Sequence, residues 1–310
     1  MFISAGRKIQ GLTLALCGLL AACVPAPPPG SYRTPQSLDD RIWSVAGERF
    51  VTPDTLLQAM TEARFVLLGE VHDNPRHHAL EAWAMRALVE KNRRFALVAE
   101  MISTDQDKAL KLFSETPRDN AATLRLFLDW DNSGWPDWAA YEPIFTAAVR
   151  GGVPIMAGNL DRTLLPALHR SGSAAFDDKT RADLALPAAL PEAVGPALRD
   201  AIQSSHCGAL PERVVQAFAE IQFARDAEMT RALMSTPDNA LLIAEAEHVR
   251  KDRAVPYQLH RLGAHGRVLS IAFMETRPGQ SSPTDYDIAA YDYVWFTPAI
   301  PRNDPCKPAG

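Results

Sequence analysis

From Arg41 onward, short β-branched or apolar runs alternate with longer stretches whose apolar positions recur at helical spacing, a pattern that predicts an α/β protein. Strands are predicted at Phe65 to Leu68, Ala96 to Ala99, Val153 to Ala157, Leu241 to Ala244, Val268 to Phe273 and Tyr293 to Phe296. After the first strand, Asn74 can cap a helix and Pro75 suits its first position. Leu80, Trp83, Ala87 and Leu88 then mark one face for the core. Between Ala157 and Leu241 no strand is read. Helical stretches broken at Pro187, Pro191 and Pro196, then a long pattern from Pro211 to Met234, predict a helical insertion over about 160–238. The expected architecture is a mostly parallel open sheet flanked by helices, with the insertion capping the C-terminal edge of the strands, all within one domain over 41–300 and a short tail over 301–310.

The N-terminal pattern is different. Arg7 and Lys8 precede an apolar run from Ile9 to Leu20 that is too short to span a bilayer, and Leu19-Leu20-Ala21-Ala22-Cys23 follows. This order resembles a bacterial lipoprotein signal, with 1–22 as the signal peptide and Cys23 as the lipid-bearing residue. Val24-Pro25-Ala26-Pro27-Pro28-Pro29-Gly30 reads as an extended tether within 23–40. Val24 stands where an aspartate commonly directs inner-membrane retention, so the expected location is the outer membrane facing the periplasm, with only the lipid in the bilayer. The formal charge of −5 becomes −7 once Arg7 and Lys8 are removed, a mildly acidic balance that argues against a nucleic-acid partner. Beyond the anchor two cysteines remain, Cys207 and Cys306, in a compartment where a disulfide would persist. His206-Cys207-Gly208 also admits a metal or redox reading, and a turn with a structural disulfide is preferred because no second cysteine is near.

Polar residues gather where strands end. Strand one runs into Gly69-Glu70-Val71-His72, strand two into Glu100, strand three into Asn159-Leu160-Asp161-Arg162, and strand four into Glu245-Ala246-Glu247-His248-Val249-Arg250. In a parallel sheet these ends share one edge, where open α/β folds bind ligands. His77 and His78 lie about one helical turn beyond His72. Trp138 and Tyr141, three apart on a predicted helix, fit core packing, whereas Trp130 and Trp135 flank the turn Asn132-Ser133-Gly134 and are expected to form an apolar platform.

With these residues collected, the chain resembles the ChaN-like haem-binding uptake lipoproteins of the superfamily that includes the Tiki proteases and erythromycin esterase-like proteins. The resemblance runs from about Phe65 to Phe296. Its matches are LLGEVHDNPRHH at 67–78, AEM at 99–101, WPDWAAYEPI at 135–144, AGNLDR at 157–162, HCGALPE at 206–212, ARDAEM at 224–229 and HVRKDRAVPYQL at 248–259. The chain departs from the family before His248, where Glu245-Ala246-Glu247 replace glycines.

The resemblance implies haem bound in the strand-end cleft, for iron acquisition or haem handling at the envelope. The iron ligand is expected among Tyr141, His72, His77 and His78. Arg162 and Arg250 are the candidates for the propionates, and Asn159 and His248 complete the cofactor-binding set. A homodimer and a haem receptor or transporter are compatible partners. The alternative is a divalent-metal-dependent hydrolase, peptidase or esterase-like, using Glu70, His72, Glu100 and His248 as ligands or as acid and base. Glu245 and Glu247 would favour a cation and repel propionates. A vestigial cleft on a protein-binding lipoprotein is a third reading.

Overall fold

In the computed structural model, residues 37–116, 120–303 and 306 are described. The proposed signal peptide, Cys23 and the Pro-rich tether lie outside them. The chain folds through β1 (Ile42–Ser44), β2 (Arg49–Val51), α1 (Pro53–Glu62), β3 (Phe65–Glu70), α2 (Pro75–Glu90) and β4 (Phe95–Ser103). It continues with α3 (Asp107–Glu115), α4 (Ala121–Phe127), α5 (Trp138–Arg150) and β5 (Ile155–Asn159), then α6 (Leu165–Ser171), α7 (Asp178–Asp183), α8 (Gly195–Ser205) and α9 (Glu212–Ser235). It closes with β6 (Asn239–Glu245), α10 (Val255–Arg261), β7 (Val268–Glu275) and β8 (Tyr293–Thr297).

The strands form one sheet in the order β2-β1-β8-β7-β3-β6-β4-β5. The six strands from β8 to β5 are parallel, and only the β1/β2 and β1/β8 pairs are antiparallel. The expected α/β architecture, mostly parallel and open, is what the chain adopts. Each predicted strand is present, and β1 and β2 are additional. Buried on both faces, the inner strands read as continuous apolar runs. Within Phe65-Val66-Leu67-Leu68, Val66 and Leu68 join the core under α1, α2 and α5, while Phe65 and Leu67 join the opposite core under α9 and α10. Each such side chain contributes on the order of 1.5–3 kcal/mol by leaving water.

The order of strands brings the polar exits together. After β3 the chain crosses through α2 to β4, and β6 later returns between them, so β3, β6 and β4 are neighbours. Glu70 pairs in register with Glu245, and Ala99 with Ile243. The exits carrying Glu70 and His72, Glu100, and Glu245 through His248 therefore meet at one edge. Asn74 caps α2 as its sequence suggests, its side chain accepting from the Arg76 N–H at 2.9 Å, with Pro75 at the first helical position.

The insertion is built on α9. Its 24 residues span about 36 Å against about 23 Å for β6, so it extends past the sheet. Met229, Ala232 and Leu233 pack on the sheet. Ala219, Ile221, Phe223, Ala224 and Ala227 pack instead among Leu160, Leu168, Phe176, Leu184, Val194 and Leu198 of the preceding segments. Those helices form the cap over the strand ends. Cys207, in the turn after α8, is disulfide-bonded to Cys306, with Cα atoms 5.3 Å apart. The tail leading there is also held by Arg302, which pairs with Asp73 and with Glu275.

Candidate functional site

Gly69 is a strand residue whose absent side chain matters. A Cβ there would lie 2.4 Å from Val249 Cγ2 and 2.8 Å from the Ala246 Cα, so the 246–249 turn can settle on β3 only because position 69 is glycine. That contact places His248 beside the exit of β3.

Glu70, fully buried, organises the near side of the site. Its Oε1 accepts from the Tyr141 hydroxyl at 2.6 Å and from His72 Nδ1 at 2.8 Å. His78 Nε2 stands 2.8 Å from Oε2, a close contact that is out of line for a hydrogen bond. Burial pushes the Glu70 carboxyl up, but His72 and His78 together bring it down to about 2, so it is ionised and can only accept. For His72, burial opposes the charged form, yet the hydrogen bond to Glu70 and the charge of Glu100 outweigh it and raise the imidazole above its usual value.

The far side is a second chain of contacts. Glu100 Oε1 lies 3.3 Å from His248 Nε2, and Asp226 Oδ1 lies 2.6 Å from His248 Nδ1, all three being buried. The Glu245 N–H donates to Glu100 Oε2 at 2.8 Å. Burial disfavours charge on His248, but the two flanking carboxylates raise it to about 10. Burial raises Asp226 to about 6 in spite of His248. Burial likewise acts against the Glu100 charge, but His248 holds that carboxyl well below the usual range. His72 joins the two sides, its Nε2 3.8 Å from Glu100 Oε2.

Glu70, His72, Glu100, His248, Tyr141 and His78 are thus brought together. The other candidate residues are engaged elsewhere in this structure. His77 faces away: its Nδ1 accepts from the Val71 N–H at 2.8 Å and its Nε2 meets Thr297 Oγ1 at 2.8 Å, with burial lowering the imidazole to about 3, so it is a neutral structural group. Asn159 is occupied with backbone, donating to the Glu100 carbonyl at 3.0 Å and accepting from the Leu160 N–H at 2.9 Å. Arg250 is engaged by Asp252 and Asp287 at 2.9 and 2.8 Å, which leaves no free guanidinium for a propionate. Arg162 pairs with Asp105 at 2.8 Å, on the surface. Glu247 is turned to Arg253 at 2.6 Å.

Tyr141 is fully buried, and burial together with the Glu70 charge pushes its phenol far above the usual value, so in this structure it donates to Glu70. Trp130 belongs to the core, packed on Trp138, Tyr141 and Phe145, so the expected platform reduces to Trp135. Trp135 packs edge-on against His72 with centroids 4.8 Å apart. His72, with 26% of its side chain exposed, is the accessible imidazole among the residues gathered around Glu70 and Glu100.

Two buried acids escaped the sequence reading. Asp226 lies within a charged stretch of α9. Glu81 lies on α2, three residues after His78 and so on the same helical face, a spacing that could have flagged it.

The family model described as haem-binding uptake, Tiki superfamily, ChaN matches residues 56–259. The chain belongs to this family. Among solved structures, it is similar to the one titled "Cofacial heme binding to ChaN of Campylobacter jejuni", at 20% identity and a TM-score of 0.66, over 84% of this chain and 97% of that one. A structure of the erythromycin esterase EreC in its open conformation matches at 17% identity and a TM-score of 0.43, over 77% of each chain. The type III effector HopBA1 matches at 15% identity and a TM-score of 0.42, over 79% of this chain and 92% of that one. No curated protein matches the chain.

Proposed function

We propose that this family member binds haem at the mouth of the strand-end site, with His72 Nε2 as the iron ligand, and that it does so as a lipoprotein anchored through Cys23 in the outer membrane and facing the periplasm. The observation that carries the reading is the bond from His72 Nδ1 to Glu70 Oε1 at 2.8 Å on a side chain that is still part-exposed. A histidine that binds a metal through one ring nitrogen commonly donates the other N–H to a carboxylate, which fixes the tautomer and strengthens the ligand. Family membership and the neighbour titled for cofacial haem point the same way.

The donor set fits haem at its centre. Trp135 offers an aromatic wall beside His72. For a propionate, Arg162 is the suitable partner. Its surface pair with Asp105 is worth about 0–1 kcal/mol and can exchange, whereas the guanidinium of Arg250 is itself buried and held by two carboxylates. Bound haem iron would supply a redox-active, Lewis-acidic centre at this position. The chain's own residues orient the imidazole through Glu70 and shield one side of it with Trp135.

The hydrolase reading gains from the meeting of Glu70, His72, Glu100 and His248, but His248 does not fit a general base. It is fully buried, held from both sides and raised to about 10, so it carries its proton near pH 7. No helix among the described residues is long and apolar enough to cross a membrane, which is compatible with a lipid anchor as the attachment. A haemin titration of the purified protein tests the proposal: a saturable Soret shift is expected, and its absence overturns haem binding. Radiolabelled palmitate incorporation that is lost in Cys23→Ala tests the anchor.

A further inference from the structure

Behind the Glu70–His72 pair lie His78 and Glu81, which haem ligation does not use. Ligand atoms of Glu70, His78 and Glu81 all lie within 4.8 Å of one another, and all three residues are buried. The two oxygens of Glu81, both ring nitrogens of His78 and Oε2 of Glu70 have no hydrogen-bond partner among the described residues. Leaving such atoms unsatisfied costs about 1–3 kcal/mol each, and buried polar groups in folded proteins almost always find a partner. Glu70 divides its two oxygens cleanly: Oε1 accepts from Tyr141 and His72, and Oε2 faces His78.

A proton shared between Glu70 and Glu81 would account for that pair alone and would not engage His78, whose Nε2 stands 2.8 Å from Glu70 Oε2 but out of line for a hydrogen bond. A cation satisfies all three side chains at once. We infer that Glu70 Oε2, His78 Nε2 and Glu81 form a buried site for a divalent first-row transition ion. Two carboxylates balance its charge, and one imidazole beside them suits zinc, manganese, iron or cobalt better than the oxygen-only preference of calcium. Metal–ligand distances near 2.0–2.2 Å require ligand atoms roughly 3.5 Å apart, so a widest separation of 4.8 Å must close by about 1.3 Å and the 2.8 Å His78–Glu70 pair must open by about 0.7 Å. The site lies beside the haem ligand without including it. A bound ion would fix Glu70, which in turn orients His72.

The test uses purified protein stripped with chelator, reloaded separately with zinc, manganese and cobalt(II), desalted, and assayed for metal per chain. About one equivalent of at least one of these ions is expected to remain on the wild type, and Glu81→Gln, which keeps shape and removes the charge, should weaken retention at least about tenfold. Equal retention by wild type and Glu81→Gln, including none by either, overturns the inference. Should that variant fail to fold, cobalt(II)-loaded wild type decides: the His78 ring resonances should be shifted or broadened by the paramagnet, and unperturbed His78 signals overturn the site. Metal retained without a haemin shift would refute the haem proposal alone, and a haemin shift without metal would refute this inference alone.

Discussion

His72 donates its Nδ1 hydrogen to the ionised Oε1 of Glu70 across 2.8 Å, and the same oxygen accepts from Tyr141 at 2.6 Å. One buried carboxylate thereby sets the tautomer of the part-exposed imidazole and accepts the hydrogen bond of the phenol that the sequence also nominates as an iron ligand. The division of roles between His72 and Tyr141 follows from this geometry.

Tyr141→Phe should separate the two roles. It removes a hydrogen bond to a charged acceptor and should destabilise the fold by about 1.5–3 kcal/mol in urea titrations. The Soret position of the haem complex should stay that of the wild type. A changed Soret position would restore Tyr141 as a ligand.

Acid should release haem. Iron binding needs an unprotonated Nε2, and His72 is raised above its usual value, so occupancy should fall as pH drops through that raised value and recover on neutralisation. Haem absorbance followed from alkaline to acid pH checks this. Stability has its own acid limb. The Glu70 carboxyl is depressed from 4.5 to about 2, so its contribution is present above the unfolded value and is lost as pH falls toward 2, on the order of 3 kcal/mol. Urea midpoints across that window, compared with Glu70→Gln, measure it. His248 acts in the opposite direction: its raised value means that its contribution holds below its unfolded value and is lost as pH climbs through about 10.

Gly69→Ala should cost about 1–3 kcal/mol, because the new Cβ meets the Ala246 backbone, which cannot rotate aside as the Val249 methyl can. Crystals or amide exchange of the variant should show the change concentrated in 246–249. A neutral substitution would contradict the close approach.

Cys306→Ser opens a link between residues 99 apart in sequence. Chain-entropy arguments give a loss of about 4.7 kcal/mol for a loop of this length, and disulfides typically contribute about 2–4 kcal/mol. Denaturation with and without reductant should show the same drop in the wild type and none in the variant. Reactive thiols at Cys207 and Cys306 in unreduced wild type would contradict the bridge.

Much of the fold was legible because the inner strands are covered on both faces, so runs such as Phe65-Val66-Leu67-Leu68 carry a strong apolar signal. The β1 and β2 strands were not legible. Each has three residues, too few to show a period, and they are held by pairing with β8 and with each other. In the site, residues at strand exits were readable because the strand itself aims them. Helical acids were not, since Glu81 and Asp226 look like ordinary solvated charges until packing buries them. His77 and His78 illustrate the limit: they are adjacent on α2, so about 100° of helical rotation sends one to Thr297 and the other to Glu70, and composition cannot tell which.

The role of His72 is tested most directly by titrating haemin into wild type and His72→Ala and then adding free imidazole. Wild type should give a saturable Soret shift, the variant should bind at least about tenfold more weakly with an altered band, and imidazole should restore the wild-type band by filling the vacated ligand position. Identical spectra and affinities for the two proteins would contradict iron ligation by His72.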